Sequence, residues 1–174
     1  MLGNDDLRAY VRDIPDFPKP GILFRDLTPL MGHGPAFRQT IDRLGQRVTA
    51  LHPAAIAAVE SRGFIFGAAV AAQLGLGFVP LRKPGKLPFR TRRGQYDLEY
   101  GSDGIEIHED AIARGTPVVL IDDLLATGGT AGAAIRLARE LGAEVLGALF
   151  VIELSALGGR ERLGGVSAHA LIVY

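Results

Sequence analysis

Residues 118–132 read VVLIDDLLATGGTAG, and the hydrophobic period changes within them. Val118–Ile121 are consecutive apolar residues, the pattern of a strand buried on both faces. Asp122 and Asp123 follow at once, then Leu124, Leu125 and Ala126, then Thr127-Gly128-Gly129-Thr130. From there Ala131, Ala134, Ile135, Ala138 and Leu141 recur at the spacing of one helical face. The stretch is predicted as buried strand, polar turn and helix, with the aspartates in the turn. Open α/β sheets usually bind ligands where a parallel strand ends and a helix begins.

The two halves of the turn suit different chemistry. Glycines let the backbone approach a ligand, the threonines add hydroxyl donors, and the first amides of a helix have no partner inside it. Such a helix start favours an anion by roughly 0.3–1 kcal/mol when exposed and up to about 2 when partly buried. Thr127–Thr130 therefore suit a phosphate. Asp122 and Asp123 repel phosphate, but suit sugar hydroxyls or a divalent metal that also touches phosphate. A ribose 5-phosphate satisfies both halves. The plain alternative is a strand–turn–helix with solvated aspartates. No GxxxxGK[ST] occurs, and Gly75-Leu76-Gly77 continues without a third glycine, so neither the P-loop nor the dinucleotide fingerprint is present.

The chain has 174 residues with 48% hydrophobic and 22% charged, consistent with one packed globular domain. Nineteen basic residues balance nineteen acidic ones, which gives no general attraction to nucleic acid or anionic membrane. There is no cysteine, hence no disulfide, thiolate nucleophile or thiolate-bound metal. The polar, acidic start MLGNDDLRAY is not a secretory signal, and a cytoplasmic protein is expected.

A short helix capped by Asn4 is predicted to end near Asp13. Ile14–Asp26 holds three prolines and a glycine and is predicted irregular. Its Phe17, Ile22, Leu23 and Phe24 make it either a strap over the core or a hood for a flat ligand. Gly34 to about Thr49 reads as an amphipathic helix with Phe37, Ile41, Leu44 and Val48 inward, flanked by surface His33 and His52. Ala54–Val59 reads as a strand and Phe64–Leu74 as a helix, with Glu60-Ser61-Arg62-Gly63 as the turn between them. Arg62 beside a helix start would attract anions, unless it simply pairs with Glu60. The GxxxG of Gly63–Gly67 lies in an apolar run too short to span a bilayer.

Gly77–Leu81 reads as a strand. Arg82, Lys83, Lys86, Arg90, Arg92 and Arg93 follow as a basic loop, then alternating residues around Gly101-Ser102-Asp103-Gly104 indicate a β-hairpin with little apolar content. Such a basic run can be a nucleic-acid patch, but prolines, glycines and then acids interrupt it. Glu144–Leu154 and His169–Val173 read as strands around a short polar helix or turn at Ser155–Leu163. The whole is predicted as a parallel α/β sheet with helices on both faces.

VVLIDDLLATGGTA resembles the phosphoribosyl-pyrophosphate motif of the type I phosphoribosyltransferases, and DDLLATGGT is similar to the form found in members that use adenine. ESRGFIFGAA resembles the family's pyrophosphate loop, DFPKPGILFRD the base-binding hood, RKPGKLP a family segment and LEYG the flexible catalytic loop. The resemblance covers nearly the whole chain. It implies the type I fold in one domain over 1–174, with a hood at 1–33 and a flexible loop and hairpin lid at 82–108. It implies transfer of phosphoribosyl to adenine, giving AMP and pyrophosphate, with Mg²⁺ bound mainly through the substrate pyrophosphate, and a homodimer in which Arg82 reaches the partner's site.

By the same resemblance Asp122, Asp123, Ala126, Thr127, Gly128, Gly129 and Thr130 hold phosphoribosyl. Arg62, Arg82, Lys83 and Lys86 hold pyrophosphate, and Leu23, Phe24 and Arg25 meet the base. Glu99 is the candidate acid/base, and an unusual backbone is expected at Glu60–Gly63. Ala126 stands where oxopurine-using members usually carry a carboxylate. A ligand-sensing regulator of the same family is the alternative of another class, but is expected to need a DNA-binding appendage for which 174 residues leave no room.

Overall fold

The computed structural model describes residues 7–97 and 102–174. The expected Asn4 cap and Glu99 lie outside these residues. Five parallel strands form the centre: β3 (Ala55–Val59), β4 (Gly77–Leu81), β7 (Pro117–Leu125), β8 (Glu144–Glu153) and β9 (Ala168–Val173). Their order is β4-β3-β7-β8-β9, with every neighbouring pair parallel.

Alternation from Val118 to Ile121 in β7 builds two cores. Val118 and Leu120 face one side, with α4 (Gly129–Glu140) and β6 (Ser102–His108). Val119 and Ile121 face the other, with α1 (Thr28–Gly32), α2 (Gly34–Leu51) and α3 (Arg62–Leu74). Side chains of a strand point alternately to opposite faces, so a continuous apolar run is what two covered faces require. The Gly63–Gly67 pair permits close approach of α3 to the sheet: a Cβ on Gly63 would lie 2.6 Å from Asp122 Oδ1, and one on Gly67 2.6 Å from Ala58 Cβ. No helix among the described residues is long and apolar enough to cross a membrane.

Three expectations need correction. The predicted first helix gives way before Asp13, and the proline-rich segment is not irregular throughout. Arg12–Ile14 (β1) and Phe24–Asp26 (β2) pair as an antiparallel ribbon, with Ile14 opposite Phe24. The intervening prolines and glycine form its connection, with a cis Phe17–Pro18 bond and the Gly21 amide donating to Asp16 Oδ1 at 2.8 Å. The hairpin also differs. Thr91–Asp97 (β5) and β6 pair up to Asp97 opposite Ser102, so Ser102, Asp103 and Gly104 belong to a strand, not the turn. At its root, Ile105 and Ile107 are buried against α4 and the sheet. The backbones of Arg82 and Glu106 exchange hydrogen bonds of 2.9 and 2.7 Å, which ties this root to the end of β4.

The ribbon is locked from below by Asp26. Its Oδ1 accepts from the Thr28 amide at 2.9 Å, and its Oδ2 from Arg12 Nη2 at 2.7 Å. The Thr28 hydrogen bonds, aided by Arg12, lower its carboxyl from 3.8 to about 2. A depressed carboxylate stabilises the fold above its unfolded value and ceases to do so as pH falls through the folded one. A carboxyl-carbon NMR titration of Asp26 is expected to have its midpoint at about 2, and the ribbon's support to fade between 3.8 and that value. A midpoint near 3.8 would contradict the lock.

Candidate active site

The crossover from β3 through α3 runs to β4, and the one from β7 through α4 runs the opposite way to β8. Strand order therefore reverses between β3 and β7, and a crevice opens there at their carboxyl ends. It is a cavity of about 480 Å³, lined by Val59–Arg62, Lys83, Ile105 and Asp122–Ala131.

Two helix starts converge on this cavity. α4 begins at Gly129 with Gly128 as its cap, and α3 at Arg62 with Ser61 as its cap; neither cap side chain bonds the helix. The first amides of both are left for a ligand, and both dipoles favour an anion. Gly128 sits at φ 78, and a Cβ there would come within 2.2 Å of Gly159 O. Only glycine fits, because both the turn and the close approach exclude a side chain. The peptide bond Glu60–Ser61 is cis, the unusual backbone expected in that turn.

Between the helix starts stand the two aspartates, and here the turn reading is corrected. β7 continues to Leu125, so Asp122 and Asp123 are strand residues, only 8% and 7% exposed. They are not the solvated pair of the plain alternative. Asp122 Oδ1 accepts from the Asp123 amide at 2.9 Å. Burial, and after it the neighbouring Asp123 charge, push the Asp122 carboxyl well above the usual range. Such a group favours its neutral form or a partner able to replace water, as a sugar diol or a cation does. Asp123 Oδ2 accepts from Arg62 Nε at 2.5 Å.

Glu60 does not pair with Arg62. Its carboxylate takes both Arg82 Nη2 at 2.8 Å and Nε at 3.2 Å, and also the Lys83 amide at 3.0 Å. The Arg82 hydrogen bonds hold the Glu60 carboxyl below the usual range. Arg82 is thus engaged within its own chain, and Arg82 and Lys86 do not line the cavity. Arg62, Lys83 and all seven residues expected to hold phosphoribosyl do line it.

Leu23, Phe24 and Arg25 do not line the cavity, and of the three only Phe24 meets a residue that does. The Arg62 guanidinium lies 5.6 Å from the Phe24 ring centre, and Phe17 packs edge-on to Phe24 at 5.1 Å. Phe17 and Leu23 are large exposed apolar side chains, at 50% and 45%. Arg25 turns away, ion-paired with Asp13 and stacked 3.8 Å over the Tyr174 ring. Sequence reading missed Glu60 as the partner of Arg82, Ile105 as a wall, and Gly159 as the backing of the phosphate turn. Ile105 could have been found from hairpin alternation in the correct register. Nothing local signals Gly159.

These features define an α/β protein with a ligand site at the switch point, built from two helix starts and a buried acid pair. The family profile described as the phosphoribosyl transferase domain matches residues 32–163. An adenine phosphoribosyltransferase of Methylococcus capsulatus is 56% identical over 170 residues, 98% of this chain and 99% of the relative. The crystal structure of adenine phosphoribosyltransferase from Thermoanaerobacter pseudethanolicus matches with a TM-score of 0.96 at 46% identity, covering 99% of this chain and 100% of that one. That of the Saccharomyces cerevisiae enzyme, complexed with an imino-altritol bisphosphate and adenine, matches with a TM-score of 0.91 at 40% identity, covering 97% of each. The chain belongs to the phosphoribosyltransferase family.

Proposed function

We propose that this protein transfers the 5-phosphoribosyl group of phosphoribosyl pyrophosphate to adenine, giving AMP and pyrophosphate. The observation that carries the reading is the cavity's division into two amide-rich helix starts with a buried carboxylate pair between them. One anion site suits the 5-phosphate, the other the pyrophosphate, and the carboxylates suit the ribose diol. Full-length relatives named adenine phosphoribosyltransferase support the base.

In the reaction adenine N9 forms the bond to C1′ and the imidazole N–H proton of adenine passes to a base, as the bond from C1′ to the pyrophosphate oxygen breaks. The sugar becomes cationic and the leaving group gains charge. Donors aimed at the leaving group lower the barrier. That Arg62, Lys83 and the start of α3 line the cavity supports this role for them. Arg62 also spans Asp123 and Phe24, so it adjoins sugar, leaving group and base. The amides of Gly129–Ala131 and the Thr127 and Thr130 hydroxyls receive the 5-phosphate, while Ala126 leaves the purine side free of charge. Glu99, outside the described residues, is proposed as the acid/base near the purine, on the resemblance of its segment.

Mg²⁺ fits this site as a substrate-held ion. Among the described residues no cluster of three His, Cys, Asp or Glu side chains can hold a metal, but Asp122 and Asp123 offer carboxylates beside the anion sites. That matches an ion bound through substrate phosphates and at most one or two carboxylates. When bound, it neutralises charge on the pyrophosphate. One domain over 1–174, with the hood at 1–33 and the lid at 82–108, completes the proposal, together with a cytoplasmic homodimer.

The test is a steady-state assay with phosphoribosyl pyrophosphate, Mg²⁺ and a panel of purines; no AMP from adenine would end the reading. Asp122→Asn and Asp123→Asn are each expected to leave the fold intact and weaken the sugar site by roughly 1.5–3 kcal/mol, the scale of a hydrogen bond to a charged group. A double variant with wild-type KM and kcat would remove the ribose assignment.

A further inference from the structure

Behind the phosphate turn lies a segment that does not line the cavity. It is the 3₁₀ turn Gly159–Arg162, which follows β8. It touches the loop at three points. A Cβ on Gly128 would lie 2.2 Å from Gly159 O, one on Gly159 2.3 Å from Ala126 O, and one on Gly132 2.5 Å from Arg162 O. Only hydrogen atoms fill these gaps, so the loop cannot settle closer and follows the turn wherever the turn is held.

One side chain holds the turn in place. Arg160 Nε donates to Glu153 Oε1 and Nη2 to Glu153 Oε2, both at 2.6 Å. Its third nitrogen, Nη1, donates to Ala168 O at 2.8 Å. The guanidinium thus ties the turn to the end of β8 and the start of β9. Glu153 is 5% exposed and pairs in register with Leu125, the last residue of β7 before the phosphate turn. The Leu154 amide donates to Leu125 O at 2.9 Å. Bonding to Arg160 holds the Glu153 carboxyl below the usual range, so the pair stays charged at neutral pH.

Glu153 is buried but the Arg160 side chain is 51% exposed, and a pair open to solvent on one side adds little stability. What a planar fork supplies is fixed geometry. We propose that Arg160 and Glu153 are positioning residues for the 5-phosphate site: their fork seats the Gly159–Arg162 turn against Ala126–Gly132 and so aims the α4 amides at the phosphate. The inference rests on the reading of this cavity as the phosphoribosyl pyrophosphate site. It separates the two substrates, because the hood at Phe24 takes no part in the clamp.

The test uses the full chain with adenine, phosphoribosyl pyrophosphate and Mg²⁺. Arg160→Lys keeps a charge on Glu153 but loses the three-point fork. It is expected to raise KM for phosphoribosyl pyrophosphate about tenfold, the scale on which outer partners act on a site, and to leave KM for adenine unchanged. The double variant Glu153→Met with Arg160→Met removes both charges together, so the buried Glu153 is not left unpaired. It is expected to melt no lower than Arg160→Lys and to keep the raised KM. If the pair served stability alone, KM would return with the melting point. A wild-type KM for phosphoribosyl pyrophosphate in either folded variant overturns the proposal, and if the double variant does not fold, Arg160→Lys decides alone. Wild-type protein that makes no AMP would instead count against the functional reading, so the two failures are distinct.

Discussion

The wild-type protein is expected to prefer adenine to hypoxanthine by about 10⁴–10⁵ in kcat/KM, the range reached when the wrong substrate leaves buried polar groups unpaired. Adenine presents an amine donor and an N1 acceptor where hypoxanthine presents a carbonyl and an N1 donor. A backbone that offers C=O to the amine and N–H to N1 rejects hypoxanthine twice. β2 can do this, because β1 pairs with one of its edges and no other described strand pairs with it. A lone strand edge carries unpaired N–H and C=O groups, as regular as any template for recognition.

The side chains divide the rest of the work. Phe24 stands beside Arg62 at the cavity's edge, so Phe24→Ala is expected to weaken the base by roughly 1–3 kcal/mol, on the scale of base stacking. Arg25→Ala should leave the selectivity ratio unchanged, since that side chain is engaged with Asp13 and Tyr174. Ala126→Asp places a carboxylate in the cavity lining and should impair adenine use. A wild-type preference for hypoxanthine or guanine would remove the hood assignment and leave the phosphoribosyl site standing.

Gly128→Ala is expected to lower kcat/KM for phosphoribosyl pyrophosphate by about 100-fold, the penalty that roughly 1 Å of misplacement carries in a preorganised site. The alanine would need φ 78 and would put its Cβ 2.2 Å from Gly159 O, so the loop or its backing turn must move. The left-handed conformation alone costs an L-residue about 1–2 kcal/mol. Gly75→Ala is the control. Gly75 has φ 67 at the end of α3, with nothing within 4 Å of the added Cβ. It should lose stability and keep its kinetics. Equal kinetic losses in both variants would show a general strain effect, and full activity in Gly128→Ala would mean that the turn does not bind the phosphate.

Local pattern alone determined the parallel α/β class and the main elements around the site. Val118–Ile121, Ala54–Val59 and the helical stripe from Ala131 each carry a period that backbone geometry imposes on a few adjacent residues. The phosphate turn was legible for the same reason: Thr127–Thr130 is contiguous, and its glycines and hydroxyls act where they stand. The aspartates were legible as chemistry but not as structure, since nothing local marks that β7 runs on to Leu125 and buries them. The ribbon of β1 with β2 and the hairpin register depend on pairing between strands, and proline content and an attractive GSDG motif pointed elsewhere. Glu60 with Arg82, Arg62 with Asp123, Phe24 at the rim and Gly159 behind Gly128 are meetings of residues far apart in the chain. Tertiary structure alone decides these, because a guanidinium near a carboxylate, or a glycine against a carbonyl, is selected by the three-dimensional packing of elements and leaves no period in the sequence.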